Sequence, residues 1–230
     1  MRTEYLNLSN ECCMELMSRY PENFFDLAIV DPPYGLNQNL ARVKSRSRLA
    51  ATSVKEDFDW DREPPSREYF RELQRVSKNW IIWGANHFIS RIPDADSSCW
   101  IVWDKINGGS GYADCELALT SFDSAVRQVR YMWNGMMQGK SSDGTIMEGD
   151  KTKNEKRIHP TQKPVHLYQW LLNKYANKDM TILDTHLGSG SIAVACHYSE
   201  IKLVGCEINE KYFLNLMDRI QEETKQLTFF

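Results

Sequence analysis

The segment 180–207, "MTILDTHLGSGSIAVACHYSEIKLVGCE", constrains the fold more than any other stretch of the chain. A short apolar run ends at Asp184, a glycine-rich turn follows, a helical stretch comes next, and a second apolar run ends at Glu207. Strand, turn, helix, strand in this order is a parallel crossover unit, because parallel strands need a long connection and an intervening helix supplies it. Parallel sheets are buried on both faces, so the rest of the chain must supply covering helices.

The remaining periodicity agrees. Cys13, Leu16, Met17 and Tyr20 recur at helical spacing, as do Tyr69, Phe70, Leu73 and Val76. Leu167, Trp170 and Leu171, running on to Lys174–Tyr175, predict a helix with Pro164 near its start, and Phe213, Leu216, Met217 and Ile220 predict a closing helix. "FFDLAIV" (24–30), "NWIIWG" (79–84) and "CWIVWDK" (99–105) read as buried strands. "CELALTSF" (115–122) and "AVRQVRYMW" (125–133) are expected to form a hairpin, hence an antiparallel strand pair. Trp80, Trp83, Trp100 and Trp103 then belong to the core. The fold class is α/β, Rossmann-like: a mostly parallel sheet with helices on both faces, in one catalytic domain over 1–230. Two segments fit no element: a basic loop at 37–58, and a Gly-, Ser-, Asp- and Lys-rich insertion at 134–158.

Composition excludes several classes. No apolar stretch reaches the roughly 18 residues needed to span a bilayer, and the N-terminal stretch lacks a signal-peptide core, so a cytoplasmic location is expected. The six cysteines form no CxxC pair and the five histidines no HxxxH or HExxH spacing, so neither a disulfide framework nor a metal is expected. Net charge is −3, which gives no global signal for nucleic acid. Its distribution does: Arg42, Lys44, Arg46, Arg48 and Lys55 occur without an acid among residues 41–55, and Lys151, Lys153, Lys156, Arg157 and Lys163 form a second basic stretch. Either alone reads as a solvated loop; two flanking one site point to phosphate contact.

Gly188-Ser189-Gly190 opens the helix after Asp184 as G-x-G-x-x-A, ending at Ala193. Glycines let backbone approach a ligand, and an acid at the end of the next strand, here Glu207, can accept from two ribose hydroxyls. That suits an adenosine-containing ligand. A dinucleotide would place its pyrophosphate beside Asp184, whereas S-adenosylmethionine would place an ammonium there, which favours the latter.

The strand at 27–30 runs into Asp31-Pro32-Pro33-Tyr34. Two prolines remove two N–H donors and leave carbonyl acceptors, to which Asp31 adds a carboxylate. Converging acceptors make a cup for an exocyclic amino group, and Tyr34 supplies a flat face against which a base can stack.

These residues carry a resemblance. Asp31–Tyr34, "HPTQKP" (159–164), "DTHLGSG" (184–190) and "GCEIN" (205–209), in that order, resemble the amino-methyltransferases of DNA, in their permuted β group, over nearly the whole chain. The resemblance implies methyl transfer from S-adenosylmethionine to the N6 amino group of adenine in double-stranded DNA, directly and on a flipped-out base. Asp31 and the Pro32 carbonyl would hold the amine, with Pro33 and Tyr34 completing the catalytic tetrapeptide. Asp31, Asp184, Gly188, Ser189 and Gly190 would line the methionine end of the cofactor, with Lys163 near its carboxylate, His186 stacking on it, and Glu207 and Ile208 at the ribose. Arg42, Lys44, Arg46, Arg48, Lys153, Lys156 and Arg157 would contact DNA. A bacterial or phage-infected cell is the implied setting, with room for a homodimer and a cognate restriction enzyme.

The chain departs from the family pattern in three ways. Asp184-Thr185-His186 stands where Asp-Pro-Phe is usual; Cys12 stands where an acid usually helps hold the adenine, with Asn10 or Glu11 as substitutes; and the 134–158 segment is a small reader of sequence. N4 of cytosine presents the same amine chemistry and remains the alternative, although Asp31 leans toward adenine. A nicotinamide dehydrogenase leaves Asp31–Tyr34 unexplained, a protein-glutamine methyltransferase would be expected to carry Asn at position 31, and a degenerate DNA-binding subunit rests only on Cys12 and His186. His159 is expected to cap or pack rather than catalyse.

Overall fold

All four residues of the strand Leu27–Val30 are buried, as a strand covered on both faces must be. The computed structural model describes residues 1–36, 63–107, 113–134, 137–139, 154–159 and 161–225. Its strands are β1 (Leu6–Asn10), β2 (Leu27–Val30), β3 (Trp80–Trp83), β4 (Trp100–Asp104), β5 (Cys115–Thr120), β6 (Arg127–Arg130), β7 (Trp133–Asn134), β8 (Met137–Gln138), β9 (Thr181–Asp184) and β10 (Lys202–Glu207). Eight of them form one sheet in the order β1-β10-β9-β2-β3-β5-β4-β6, while β7 and β8 pair apart from it. Within that sheet β5 runs against both neighbours, β3 and β4; the other pairings are parallel.

The described helices are α1 (Cys13–Ser18), α2 (Arg67–Val76), α3 (Val165–Tyr175), α4 (Ser191–Ser199) and α5 (Glu210–Thr224). Successive strand residues point to opposite faces, and the two cores divide accordingly. Leu27, Ile29, Ile81 and Trp83 pack with Leu167 and Leu171 of α3, Ile192 to Cys196 of α4, and Leu216 of α5. Ala28, Val30, Ile82 and Leu183 pack with Leu16 and Met17 of α1 and with Phe70, Leu73 and Val76 of α2. A helix buried on nearly all sides, such as α4, needs apolar residues all round, which "SIAVAC" provides.

The α/β reading therefore holds, with three differences. The expected hairpin of 115–122 with 125–133 does not form: β4 lies between them, pairing antiparallel with β5 and parallel with β6. The short connection after Thr120 thus passes β4 instead of folding back on β5. β1, at the far edge, was not read from the sequence. The insertion at 134–158 is also less uniformly a surface loop than its composition suggests. It opens with the β7–β8 pair, and the buried Gln138 side chain donates to the Glu155 carbonyl at 2.9 Å and accepts from the Glu155 N–H at 2.8 Å. Among the described residues no helix is long and apolar enough to cross a membrane.

Topology locates the site. β9 and β2 are parallel neighbours, yet β9 is followed by β10 on one side and β2 by β3 on the other. Such a reversal of winding opens a crevice at the carboxyl ends of the two strands. Asp31 follows β2 directly and Asp184 ends β9.

Candidate active site

A cleft of about 220 Å³ lies at this crevice. Asp31, Pro33 and Lys163 line one end; His186, Gly188 and Ser189 follow along the glycine turn; Glu207 and Ile208 close the other end. Seven residues singled out as cofactor contacts thus meet on one surface. Asp184 and Gly190 lie beneath the lining, the former only 1% exposed. Gly190 takes φ +73° at the start of α4, and a Cβ there would sit 3.2 Å from the Leu216 Cβ, so both backbone and packing call for glycine.

Asp184 is an isolated acid. Its Oδ1 accepts from the His186 N–H at 2.9 Å, and no ion pair reaches it among the described residues. Burial raises its carboxyl to about 8. Glu207 is fixed differently: Oε2 accepts from the Gly188 N–H at 3.0 Å and Oε1 from the Asn209 N–H at 2.9 Å, which ties the end of β10 to the glycine turn and still leaves each oxygen a lone pair. Burial raises its carboxyl too.

The Thr185-His186 departure is supported from α2. The Tyr69 hydroxyl lies 2.6 Å from Thr185 Oγ1, which lies 2.9 Å from His186 Nδ1, and the Tyr69 and His186 rings meet edge to face at 5.3 Å. Burial pushes His186 down to about 4, so its ring is neutral at pH 7 and its plane is held. His159 lines the same cleft against Tyr212, ring centroids 4.5 Å apart, and burial lowers it to about 4 as well. Of the two substitutes for an acid at Cys12, Glu11 is committed to Arg19, at 2.6 and 2.7 Å, and to Ser9. Asn10 donates to the carbonyls of Glu207, at 2.6 Å, and Ile208, at 3.1 Å, beside the cleft.

At the other end, the Asp31–Tyr34 cup is wired to its surroundings. Tyr34 donates its hydroxyl to Asp31 Oδ1 at 2.8 Å, and Lys163 Nζ lies 2.5 Å from the same oxygen. Lys163 is 4% exposed; its Nζ also lies 3.1 Å from Glu116 Oε2 and donates to the Tyr34 hydroxyl at 3.0 Å. The structure thus places Lys163 on carboxylates of the chain itself. The Tyr34 ring stacks on His87 at 5.1 Å and lies over Gly84, where a Cβ would come within 2.1 Å of Tyr34 Cε1. Gly84 also has φ +69°, so two constraints exclude a side chain there. Pro32 is buried beneath the cup.

Sequence reasoning did not single out Glu116, Tyr69 or Arg219. Arg219 is 5% exposed and joins the Ser189 carbonyl, at 3.0 Å, to Glu155, at 2.6 Å, so the glycine turn is tied to the segment leading to Lys163. Of the basic residues, Arg42, Lys44, Arg46, Arg48 and Lys153 lie outside the described residues. Lys156 and Arg157 are exposed, with the Arg157 guanidinium 4.6 Å above the Trp133 ring.

Two buried acids bracketing a glycine turn, neither in an ion pair among the described residues, favour a cationic ligand, and a third carboxylate beside two prolines offers acceptors to an amine. Comparison with known proteins agrees with this chemistry. The chain is 26% identical over 234 residues to the type II methyltransferase M.HpaI of Haemophilus parainfluenzae, covering 91% of this chain and 72% of that one. Its fold is similar to that of M1.HpyAVI in a structure described as its SAM complex, with TM-score 0.56 and 19% identity over 93% of this chain and 99% of the other. It is also similar to the PvuII DNA methyltransferase, described as cytosine-N4-specific, with TM-score 0.55 and 11% identity over 96% of this chain and 92% of the other. The family model described as DNA methylase matches residues 97–218, more than half of the sequence, and the chain belongs to that family.

Proposed function

We propose that the protein transfers a methyl group from S-adenosylmethionine to the N6 amino group of adenine in double-stranded DNA, acting on a base flipped into the Asp31 cup. The observation that carries this reading is the pair of acids at the ends of the neighbouring strands β2 and β9, one paired with Lys163 and one in no ion pair among the described residues.

The cofactor's chemistry fits the donor set. Asp184 is a buried carboxylate lacking a cationic partner among the described residues, which a ligand ammonium would supply. Glu207, held by Gly188 and Asn209, retains lone pairs for ribose hydroxyls, and the neutral His186 offers a fixed ring face. S-adenosylmethionine held there would supply an electrophilic methyl group, the electron pair of its S–C bond staying on sulfur as the amine nitrogen took the carbon. Asp31 and the Pro32 carbonyl accept the two amine N–H groups, which localises the nitrogen lone pair that conjugation with the ring otherwise withdraws. Asp31 then takes the proton that the methylated nitrogen sheds, and solvent removes it. Tyr34 stays protonated, since burial raises its phenol well above the usual range, and it holds Asp31 in place through its hydroxyl.

The test is incubation with S-adenosylmethionine and unmethylated DNA of mixed sequence, followed by nucleoside analysis by mass spectrometry. N6-methyladenine supports the proposal. N4-methylcytosine would keep the mechanism and correct the base, and methylation of neither base by folded, cofactor-binding protein would overturn the assignment.

A further inference from the structure

We propose that Glu116 is a positioning residue of the transfer site: by sharing Lys163 with Asp31, it keeps the Asp31 carboxylate a strong acceptor for the incoming amine. The inference rests on the reading of Asp31 as the amine acceptor and adds a residue to it.

The reversed strand delivers Glu116. Because β5 alone of the sheet's strands runs against its neighbours, its first residues lie where β3 and β4 end, with Glu116 opposite Trp103 and Ala118 opposite Trp83. A parallel strand at this position would bring its last residues there instead. Glu116 Oε2 thereby reaches Lys163 Nζ at 3.1 Å, and Lys105, just past β4, pairs with Oε1. Lys105, Glu116, Lys163 and Asp31 form a row of alternating charge, with the Tyr34 hydroxyl beside its last three members, 2.8 Å from Asp31, 3.0 Å from Lys163 and 3.4 Å from Glu116.

Lysine paired with Asp31 alone would quench it as an acceptor; lysine shared with a second acid quenches it less. The two acids are split in this sense. Burial raises Asp31, Lys163 pulls it back, and Glu116 pushes it up again, leaving it above the ordinary value. Burial would raise Glu116 as well, but Lys163 and Lys105 together outweigh it and hold that carboxyl at about 2. Environments that drive paired acids apart assign them different tasks: one fixed countercharge, one proton acceptor. Among the described residues the other groups facing Asp31 are Tyr34 on its own loop, Asp184 on β9 and Tyr168 on α3. Asp184 is negative when ionised and Tyr34 and Tyr168 are neutral, so none substitutes for the cation that Glu116 shares.

The experiment titrates Asp31 directly. With aspartate labelled at the carboxyl carbon and the Asp31 signal assigned through Asp31→Asn, the titration midpoint is read by NMR in wild type, Glu116→Gln and Lys105→Met. Removing Glu116 removes a like charge and gives Lys163 wholly to Asp31, so the midpoint should fall by about one pH unit or more. Removing Lys105 should raise it, because Glu116 then draws harder on Lys163. Opposite shifts are something a merely structural role would not produce. Single-turnover methylation should follow, its acid limb moving the same way in each variant while the dissociation constant for S-adenosylmethionine stays within twofold. An unmoved midpoint, or shifts of one sign in both variants, overturns the inference while leaving wild-type methylation intact. A wild type that methylates no DNA overturns instead the function on which the inference rests.

Discussion

Asp184 makes the cofactor assignment testable by counting protons. Its carboxyl, raised by burial to about 8, stands far above the ordinary value of about 3.9. At pH 7 such a group is about 90% protonated. An ammonium seated against it favours the anion, so binding S-adenosylmethionine should expel about 0.9 proton per site at that pH. Calorimetry in buffers of different ionisation enthalpy reads this number as a slope. Three neighbours in the cleft do not titrate near pH 7: His159 and His186 are held at about 4 and Cys13 is pushed up to about 12. Affinity should weaken about tenfold from pH 7 to pH 6, because the free protein holds at Asp184 a proton that binding must expel. Asp184→Asn should bind more weakly and release none. The same group sets a stability slope. Between its unfolded and folded values the native chain holds a proton that the unfolded chain has lost, so Asp184 makes stability fall by about 1.4 kcal/mol per pH unit as pH rises from about 4 to about 8. Ligand-free Asp184→Asn should lack this contribution and gain on wild type progressively over that range. If wild type releases no proton on binding, or if Asp184→Asn releases as many, the ammonium does not sit at Asp184 and the reasoning fails.

Asp31→Ala should slow transfer about a hundredfold or more with the cofactor dissociation constant little changed; equal losses in both would contradict the division between the two ends of the cleft. Glu207→Ala removes a charged acceptor worth about 1.5–3 kcal/mol and should weaken cofactor binding by about ten- to a hundredfold, measured by calorimetry. Gly84→Ala meets both a positive φ and the Tyr34 ring at 2.1 Å, so chemical denaturation should show a loss of about 1–3 kcal/mol together with slower transfer. Replacing Arg42, Lys44, Arg46 and Arg48 by alanine should flatten the salt dependence of DNA binding by about 0.9 in log–log slope per lost phosphate contact, and an unchanged slope would return that loop to solvent.

Much of the fold was legible because it follows from local patterns. Leu27–Val30 and Thr181–Asp184 announce buried strands, and Tyr69, Phe70, Leu73 and Val76 fix a helix face that the structure buries as expected. Strand order is not local. The few residues between Thr120 and Arg127 look like a hairpin turn, and only pairing with β4 on both sides, a long-range contact, decides otherwise. β1 escaped notice because "LNLSN" offers just two apolar positions, Leu6 and Leu8, both buried. Within the site, acids at strand ends were readable, since a carboxylate closing an apolar run is costly without a task. Glu116 was not, because an acid at the start of a strand reads as a solvated end; its sharing a face with the buried Ala118 was the available signal. The partners of Thr185 and His186 come from Tyr69, more than a hundred residues away, and no spacing rule reaches that far.

Asp31 and Asp184 show how wiring, rather than residue type, underlies the proposed assignment of the two ligands. Both are aspartates, both close neighbouring parallel strands, and both face the crevice where the winding reverses. Asp31 already has its cation in Lys163, so a second cation there would have to displace a buried ion pair, which is strongly unfavourable. A neutral amine asks for an acceptor only, and Asp31 retains Oδ2 for it beyond the two contacts on Oδ1. Asp184 presents the reverse case. In no ion pair among the described residues, it holds a proton at pH 7, offers a neutral amine a weaker acceptor, and becomes an anion when a positive charge arrives. Lys163 acts on Asp184 only through space, because Glu116 and Asp31 hold its ammonium between them at 3.1 and 2.5 Å. Under the proposed assignment the charge row ending at Lys105 would act on both ends of the cleft: it would preserve Asp31 as an acceptor for a neutral nitrogen, and by holding the lysine it would leave Asp184 to the cationic ligand.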